Sequence, residues 1–143
     1  MTHEPALRRL AIEVTRATSN NLFQVATLIM AATALEVSID VLFRDGALLK
    51  LRRGRINVPE WSRAYAPVMA ELAERLKAAE FTDMESFLRD AKEHGDDVRY
   101  WACSETLADQ RVSLAELTSL LDGERDRKEF LADAQNADAV LTF

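Results

Sequence analysis

Two apolar segments separated by one helical segment place the strongest constraint on the fold. Leu10–Thr15 is rich in branched residues, and Val37–Phe43 begins as an alternating pattern and ends as an apolar run. The intervening Asn21–Glu36 has a helical pattern, with Ser19 or Asn20 as the expected cap. A strand, a helix and a strand in this order predict a βαβ unit, in which the strands are parallel and the crossover is right-handed.

The Asn21–Glu36 helix is apolar on almost every side. A helix that faced water would carry only one apolar stripe, so we expect a sheet on one side and another helix or subunit on the other. A long amphipathic helix is predicted to open at Pro59, with a kink near Ala66 because Pro67 lies inside it. Together these two helices predict a homo-oligomer.

The remainder of the chain continues the alternation of helices and strands. The patterns predict a helix from the Thr82 capping box to His94, a strand Val98–Cys103, a helix to Gln110, a helix from the Ser113 capping box to Leu121, a helix Glu124–Ala137 and a strand Ala139–Phe143. The predicted fold is α/β, a three-layer α/β/α sandwich around a mostly parallel sheet of four to five strands. Residues 1–143 form one domain, with a flexible N-terminus at 1–7 and a helical insertion at 52–95. A fifth strand within 51–58 is considered but not favoured.

Composition narrows the classes of function. With 143 residues, of which 48% are apolar and 29% charged, the chain suits one globular core. A net charge of −6 argues against nucleic acid and anionic membranes as general partners. The sequence shows neither a signal-peptide pattern nor a membrane-length apolar run, so an integral membrane protein is not expected. Because the chain has one cysteine, an internal disulfide is excluded and the cytoplasm is the expected compartment. One cysteine and two histidines also make a zinc site implausible, and no metal or cofactor is expected.

The single cysteine, Cys103, is the candidate catalytic residue. A strand that ends in a thiol at a helix N-terminus places the sulfur near unsatisfied N–H groups, which stabilise a thiolate nucleophile. The alternative is a small, inert buried residue, and spacing alone favours it. Dithiol exchange is excluded because no second cysteine exists, and Arg111 lies too far along the chain for a phosphatase loop.

Several polar residues are candidates for binding. Ser104 is placed to hydrogen-bond the sulfur, Asn20 to line a crevice beside it, and Arg44 to attract an anionic substrate. For Asn20 the simpler interpretation is helix capping. Four cations, Lys50, Arg52, Arg53 and Arg55, suit an anion or the docking of an acidic partner; the alternative is a solvated loop.

Three segments together resemble the DsrE/DsrF-like family. They are Leu28–Phe43 followed by Gly46-Ala47-Leu48-Leu49, Val98–Val112 followed by Leu114-Ala115-Glu116-Leu117, and Glu129–Ala134 followed by Val140–Phe143. Two features depart from the family pattern: Gln110-Arg111-Val112 lacks the usual glycine, and only Phe43 remains of an aromatic run.

The resemblance implies a small α/β protein that assembles as a trimer or hexamer. It also implies that the cysteine aligned with Cys103 carries sulfane sulfur as a persulfide and relays it between proteins of the TusA-like and rhodanese-like kinds. The expected function is therefore intracellular sulfur trafficking, by a sulfur carrier or a sulfurtransferase. The alternative is a non-catalytic assembly or interaction subunit of the same fold, in which Cys103 is inert.

Overall fold

The computed structural model describes residues 6–143, which contain one five-stranded sheet. The strands are β1 (Arg9–Val14), β2 (Ser38–Phe43), β3 (Val98–Cys103), β4 (Gly123–Arg125) and β5 (Ala139–Thr142). Their order across the sheet is β4-β3-β2-β1-β5, and every neighbouring pair is parallel. Helices flank this sheet, so the predicted α/β class and three-layer sandwich are confirmed.

Six α-helices of the described residues connect or cover the strands. They are α1 (Ser19–Thr33), α2 (Asp45–Lys50), α3 (Met69–Ala78), α4 (Met84–His94), α5 (Ser104–Gln110) and α6 (Arg127–Ala134), with 3-10 segments at Arg63–Val68 and Leu114–Glu116. None of the helices in residues 6–143 has the length and apolar character needed to cross a membrane. Residues 1–5, most of the predicted flexible N-terminus, lie outside the described part.

The fifth strand is β4, which lies where the sequence pattern predicts the start of a helix. The helix predicted from Glu124 begins only at Arg127, and residues 51–58, where a strand was considered but not favoured, contain turns. Gly123–Arg125 is short and polar, and its strand conformation comes from pairing with Trp101–Cys103 of β3. Because this pairing is tertiary, no periodicity in the local sequence marks it.

The two faces of the sheet carry cores of different size. Alternate residues of β1, β2 and β3 face the large core on the side of α1 and α4, while Ala11, Leu42 and Cys103 face a small core completed by Phe130 and Ala134 of α6. The apolar helix α1 is covered by the sheet and by α4, against which Phe23 stacks on Phe87 with ring centroids 4.8 Å apart. A second subunit is therefore not needed to cover α1.

The long helix predicted from Pro59 is wrong. Residues 59–62 are not helical, a 3-10 segment follows, and α3 begins at Met69. Pro67 has no N–H to donate, which breaks an α-helical register at the predicted position. Of α3 only Leu72 is buried, while Val68 and Met69 are exposed.

Three predicted helix starts differ from the structure, two in the capping residue and one in the kind of helix that follows the cap. Thr18, rather than Ser19 or Asn20, caps α1 by accepting the Asn21 N–H at 3.4 Å. Asp83, rather than Thr82, caps α4. The capping box at Ser113 forms but opens only the 3-10 turn, because Leu117 leaves it in extended conformation and bridges Arg52.

Candidate functional site

Cys103 lies where the sequence places it, at the carboxyl end of β3 and directly before α5. Its side chain faces the small core, where it packs with Leu42 and Phe130, and it is only 2% exposed. The strand delivers the sulfur to this side of the sheet because β3 alternates, with Tyr100 and Ala102 in the other core.

A carboxylate contacts the thiol directly. The Cys103 Sγ donates to Oε2 of Glu105 at 2.9 Å. Burial raises the pKa of Cys103, and the bond to Glu105 raises it further, whereas the backbone and hydroxyl of Thr106 lower it. The predicted lowering by the helix N-terminus is therefore present in the Thr106 backbone N–H, but the net direction of the pKa is upward. Burial and a neighbouring carboxylate outweigh the dipole of a seven-residue helix.

Glu105 is itself held in place by the start of α6. Both of its carboxylate oxygens accept the backbone N–H of Arg127, each at 3.2 Å. The bond from Cys103, together with this N–H, lowers the pKa of Glu105, so the carboxylate is ionised at neutral pH. The thiol, the carboxylate and the orienting N–H form a nucleophile, an adjacent base and a group that positions the base.

A buried carboxylate extends this arrangement across the sheet. Glu13 near the end of β1 is 4% exposed and accepts Nε of Arg127 at 2.9 Å. Nε of Arg44, directly after β2, lies 3.5 Å from the same carboxylate. Within the described residues this Arg44 Nε has no hydrogen-bond partner. Glu13 therefore holds together two cations from different layers of the fold, and it raises the pKa of Arg127.

The contacts around Cys103, Glu105 and Glu13 form a closed ring. Arg44 also pairs with Asp45 at 2.6 Å, and the Asp45 N–H donates to the Thr106 hydroxyl at 3.1 Å. The resulting carboxyl-end ring consists of Cys103, Glu105, Arg127, Glu13, Arg44, Asp45 and Thr106. It contains three carboxylates and two guanidinium groups, so an added thiolate would increase an existing excess of negative charge.

The structure brings only part of the predicted binding set to the thiol. Arg44 belongs to the ring, but Glu13 and Asp45 already neutralise it, so it is not a free anion-binding group. Ser104 lies next to Cys103 in the chain, but its hydroxyl donates to Glu124 at 3.4 Å. Asn20 accepts the Ser62 N–H at 3.0 Å, so it holds the segment after Pro59 instead of lining a crevice beside the sulfur.

The four cations predicted to dock a partner differ in their exposure. Lys50 is 1% exposed, pairs with Glu60 at 3.1 Å and donates to the carbonyl of Val58, so it anchors a loop and is not a docking residue. Its apolar stem is buried while its charge is matched, a combination that a charge pattern does not reveal. Arg53 and Arg55 are exposed and Arg52 is half-buried, as a surface role requires.

Sequence reasoning missed the groups that matter most to Cys103, namely Glu105, Arg127 and Glu13. A usable signal existed for one of them, because Glu13 is a lone acid inside an apolar strand. Among residues 6–143, no three His, Cys, Asp or Glu side chains are grouped closely enough to hold a metal ion.

Comparisons with known proteins define the fold alone. No protein-family model matches the chain, and no curated protein matches it. Among solved structures it is similar to MTH1491 from Methanobacterium thermoautotrophicum, a protein of unknown function, with a TM-score of 0.58 and 16% sequence identity. The match covers 95% of this chain and 99% of the other, so the two share one architecture over their full length.

Proposed function

We propose that this protein carries sulfane sulfur on Cys103 and that Glu105 accepts the thiol proton during transfer. The contact that carries the proposal is the 2.9 Å hydrogen bond from Sγ to a carboxylate that the Arg127 N–H orients. A nucleophile beside a fixed base is the usual arrangement by which a thiol with an unlowered pKa is activated.

The transfer step balances without an external oxidant. The Cys103 thiol gives its proton to Glu105 while Sγ attacks the outer sulfur of a donor persulfide, R–S–SH. The donor S–S bond breaks, a new S–S bond forms on Cys103, and the donor leaves as a thiolate that takes the proton from Glu105. The same exchange in the opposite direction passes the sulfur to an acceptor thiol.

The resemblance to the DsrE/DsrF-like family supports the rest of the proposal. The donors and acceptors are TusA-like or rhodanese-like proteins in the cytoplasm, and the chain works as a trimer or hexamer. The single cysteine suits a carrier better than a disulfide-forming enzyme, because no resolving thiol lies in the chain.

Burial of the thiol favours a second candidate function. A thiol that is 2% exposed and whose pKa is raised has the properties of an inert core cysteine. In that case the chain is a non-catalytic assembly or interaction subunit, and the ring is a structural tie between α5, α6 and the sheet.

Mass spectrometry of the intact protein separates the two. The reduced protein is incubated with glutathione persulfide. If the protein is a carrier, its mass increases by one sulfur atom, and an acceptor thiol removes this atom again. The Cys103→Ala variant should show no such increase. Alkylation in urea confirms that the thiol was reduced and competent. A native protein that gains no sulfur although its unfolded thiol alkylates fully contradicts the carrier and supports the structural subunit.

A further inference from the structure

Arginines from two distant segments of the chain meet on one surface. Arg52, Arg53 and Arg55 lie in the turns after α2, and Arg111 ends α5. They line two adjoining open depressions that share Arg52 and Arg53. We name this surface, defined by these four residues, the arginine face.

The backbone under the arginine face is fixed from both sides. Arg52 forms an antiparallel bridge with Leu117, and the Arg53 N–H donates to the Glu116 carbonyl at 3.0 Å. Nε of Arg53 donates to the carbonyl of Ala115 at 3.2 Å, and the residue is exposed. A partner therefore meets guanidinium groups on ordered backbone, which lowers the entropy lost on binding.

Two carboxylates line the depressions, and one of them, Glu60, pairs with Arg55 of the arginine face. Glu116 accepts the Ser113 N–H at 2.9 Å, and Glu60 pairs with both Lys50 and Arg55 at 3.1 Å. Over residues 6–143, no ion pair involves Arg52, Arg53 or Arg111. Positive charge is thus left unmatched on one face of a chain whose net charge is −6.

The backbone conformation of Arg111 makes glycine a mild substitution with which to test its side chain. Arg111 follows α5 with φ 52° and ψ 46°, in the left-handed region where glycine is the favoured residue. A non-glycine residue there costs about 1 kcal/mol.

We propose that the arginine face binds an acidic segment of a partner protein. The depressions lie side by side and are open, so they suit an extended run of carboxylates better than a single enclosed anion. Planar guanidinium groups pair with carboxylates through two parallel hydrogen bonds, and an exposed pair of this kind contributes a small, salt-sensitive gain. The site lies outside the carboxyl-end ring and does not require Cys103 to be reactive.

The test uses Arg111→Gly, which acts on binding and stability in opposite directions. Fluorescence anisotropy with a labelled Glu/Asp-rich peptide at low salt is expected to show about two- to fivefold weaker binding. Arg52→Gln combined with Arg111→Gly is expected to weaken binding about tenfold. The thermal midpoint of Arg111→Gly stays equal or rises, because glycine removes the left-handed strain.

Glu36→Gly is the matched control. Glu36 also has a left-handed backbone, with φ 61°, but it precedes β2 at the opposite end of the sheet. This variant is expected to gain the same stability and to bind the peptide as the wild type does. Wild-type affinity in Arg111→Gly overturns the proposal, and so does tighter binding of single-stranded DNA of equal charge. Unchanged binding in Cys103→Ala supports a site independent of sulfur transfer, whatever the sulfur assay shows.

Discussion

Replacement of Glu105 by glutamine tests whether the carboxylate controls the thiol. Glutamine keeps an oxygen that accepts the Arg127 N–H, so the tie between α5 and α6 survives. It removes the negative charge and the charged acceptor that raise the pKa of Cys103. The Thr106 groups that lower the pKa remain, so the expected direction is downward.

The magnitude follows from the kind of hydrogen bond that is lost. A hydrogen bond to a charged group contributes about 1.5–3 kcal/mol, and one pKa unit corresponds to about 1.4 kcal/mol. Glu105 is exposed, so solvent screening reduces this free energy to about 1.4 kcal/mol, and the pKa of Cys103 falls accordingly. At neutral pH this gives about tenfold more thiolate. Because nucleophilicity falls with pKa, the alkylation rate is expected to rise only about threefold.

The assay is the rate of iodoacetamide alkylation measured across pH, with the thiolate absorbance as an independent titration. Glu124→Gln is the matched control, because Glu124 contacts the adjacent Ser104 hydroxyl and not the sulfur. Cys103→Ser supplies the absorbance baseline. A Cys103 pKa in Glu105→Gln that equals or exceeds the wild-type value refutes the assignment of Glu105 as the controlling group.

Two further predictions concern stability, measured by urea unfolding. Lys50→Met is expected to cost about 1–3 kcal/mol, because the partly buried hydrogen bond from the Lys50 ammonium to the Val58 carbonyl and the ion pair with Glu60 are both lost. Lys50 lowers the pKa of Glu60, so the contribution of this ion pair is complete above the ordinary Glu60 pKa of 4.5 and is lost as the pH falls through the lowered value. The difference in stability between wild type and Lys50→Met should therefore become smaller in that range, and the part due to the Val58 carbonyl should remain. Gly95→Ala is expected to cost about 1–3 kcal/mol, since its Cβ would lie 2.4 Å from Cγ2 of Thr33 and 2.9 Å from Cγ2 of Val98. Adding Thr33→Ser to Gly95→Ala should recover part of that loss. If Gly95→Ala alone is as stable as the wild type, the neighbouring side chains move to accommodate the methyl group and the prediction is wrong.

Local sequence patterns correctly predict the strands and helices whose own residues carry a strand or helix pattern. The strand to Cys103 and the helix after it have the expected bounds, and the closing strand ends at Thr142, one residue before the predicted end. The sequence pattern places Gly123 after one predicted helix and Glu124 and Arg125 in the next, because these residues carry no strand pattern and only the neighbouring β3 makes them a strand. Pro67 was recognised as a break, but the helix was still begun too early, at Pro59.

The candidate site was predicted less well because its members come from separate parts of the chain. Cys103 and Arg44 were found from their position after strands, and both belong to the ring. Glu105 and Arg127 are 22 residues apart and meet only because α6 begins beside the first turn of α5. Spacing also could not show that Lys50 is buried, since its partner Glu60 lies on a loop whose path is set by tertiary contacts.

Accessibility, more than residue identity, separates the two candidate functions. The sulfur lies in the small core and is only 2% exposed, so a donor reaches it only when the packing around it opens. Opening at the contact between Glu105 and the start of α6 would remove the carboxylate from the Arg127 N–H, which makes Glu105 a stronger base, and would admit water to the buried thiol, which lowers the thiol pKa. Both changes favour proton transfer from Cys103 to Glu105. In a carrier, the motion that exposes the sulfur would therefore also activate it, whereas in a structural subunit the closed ring would keep the thiol protonated and unreactive.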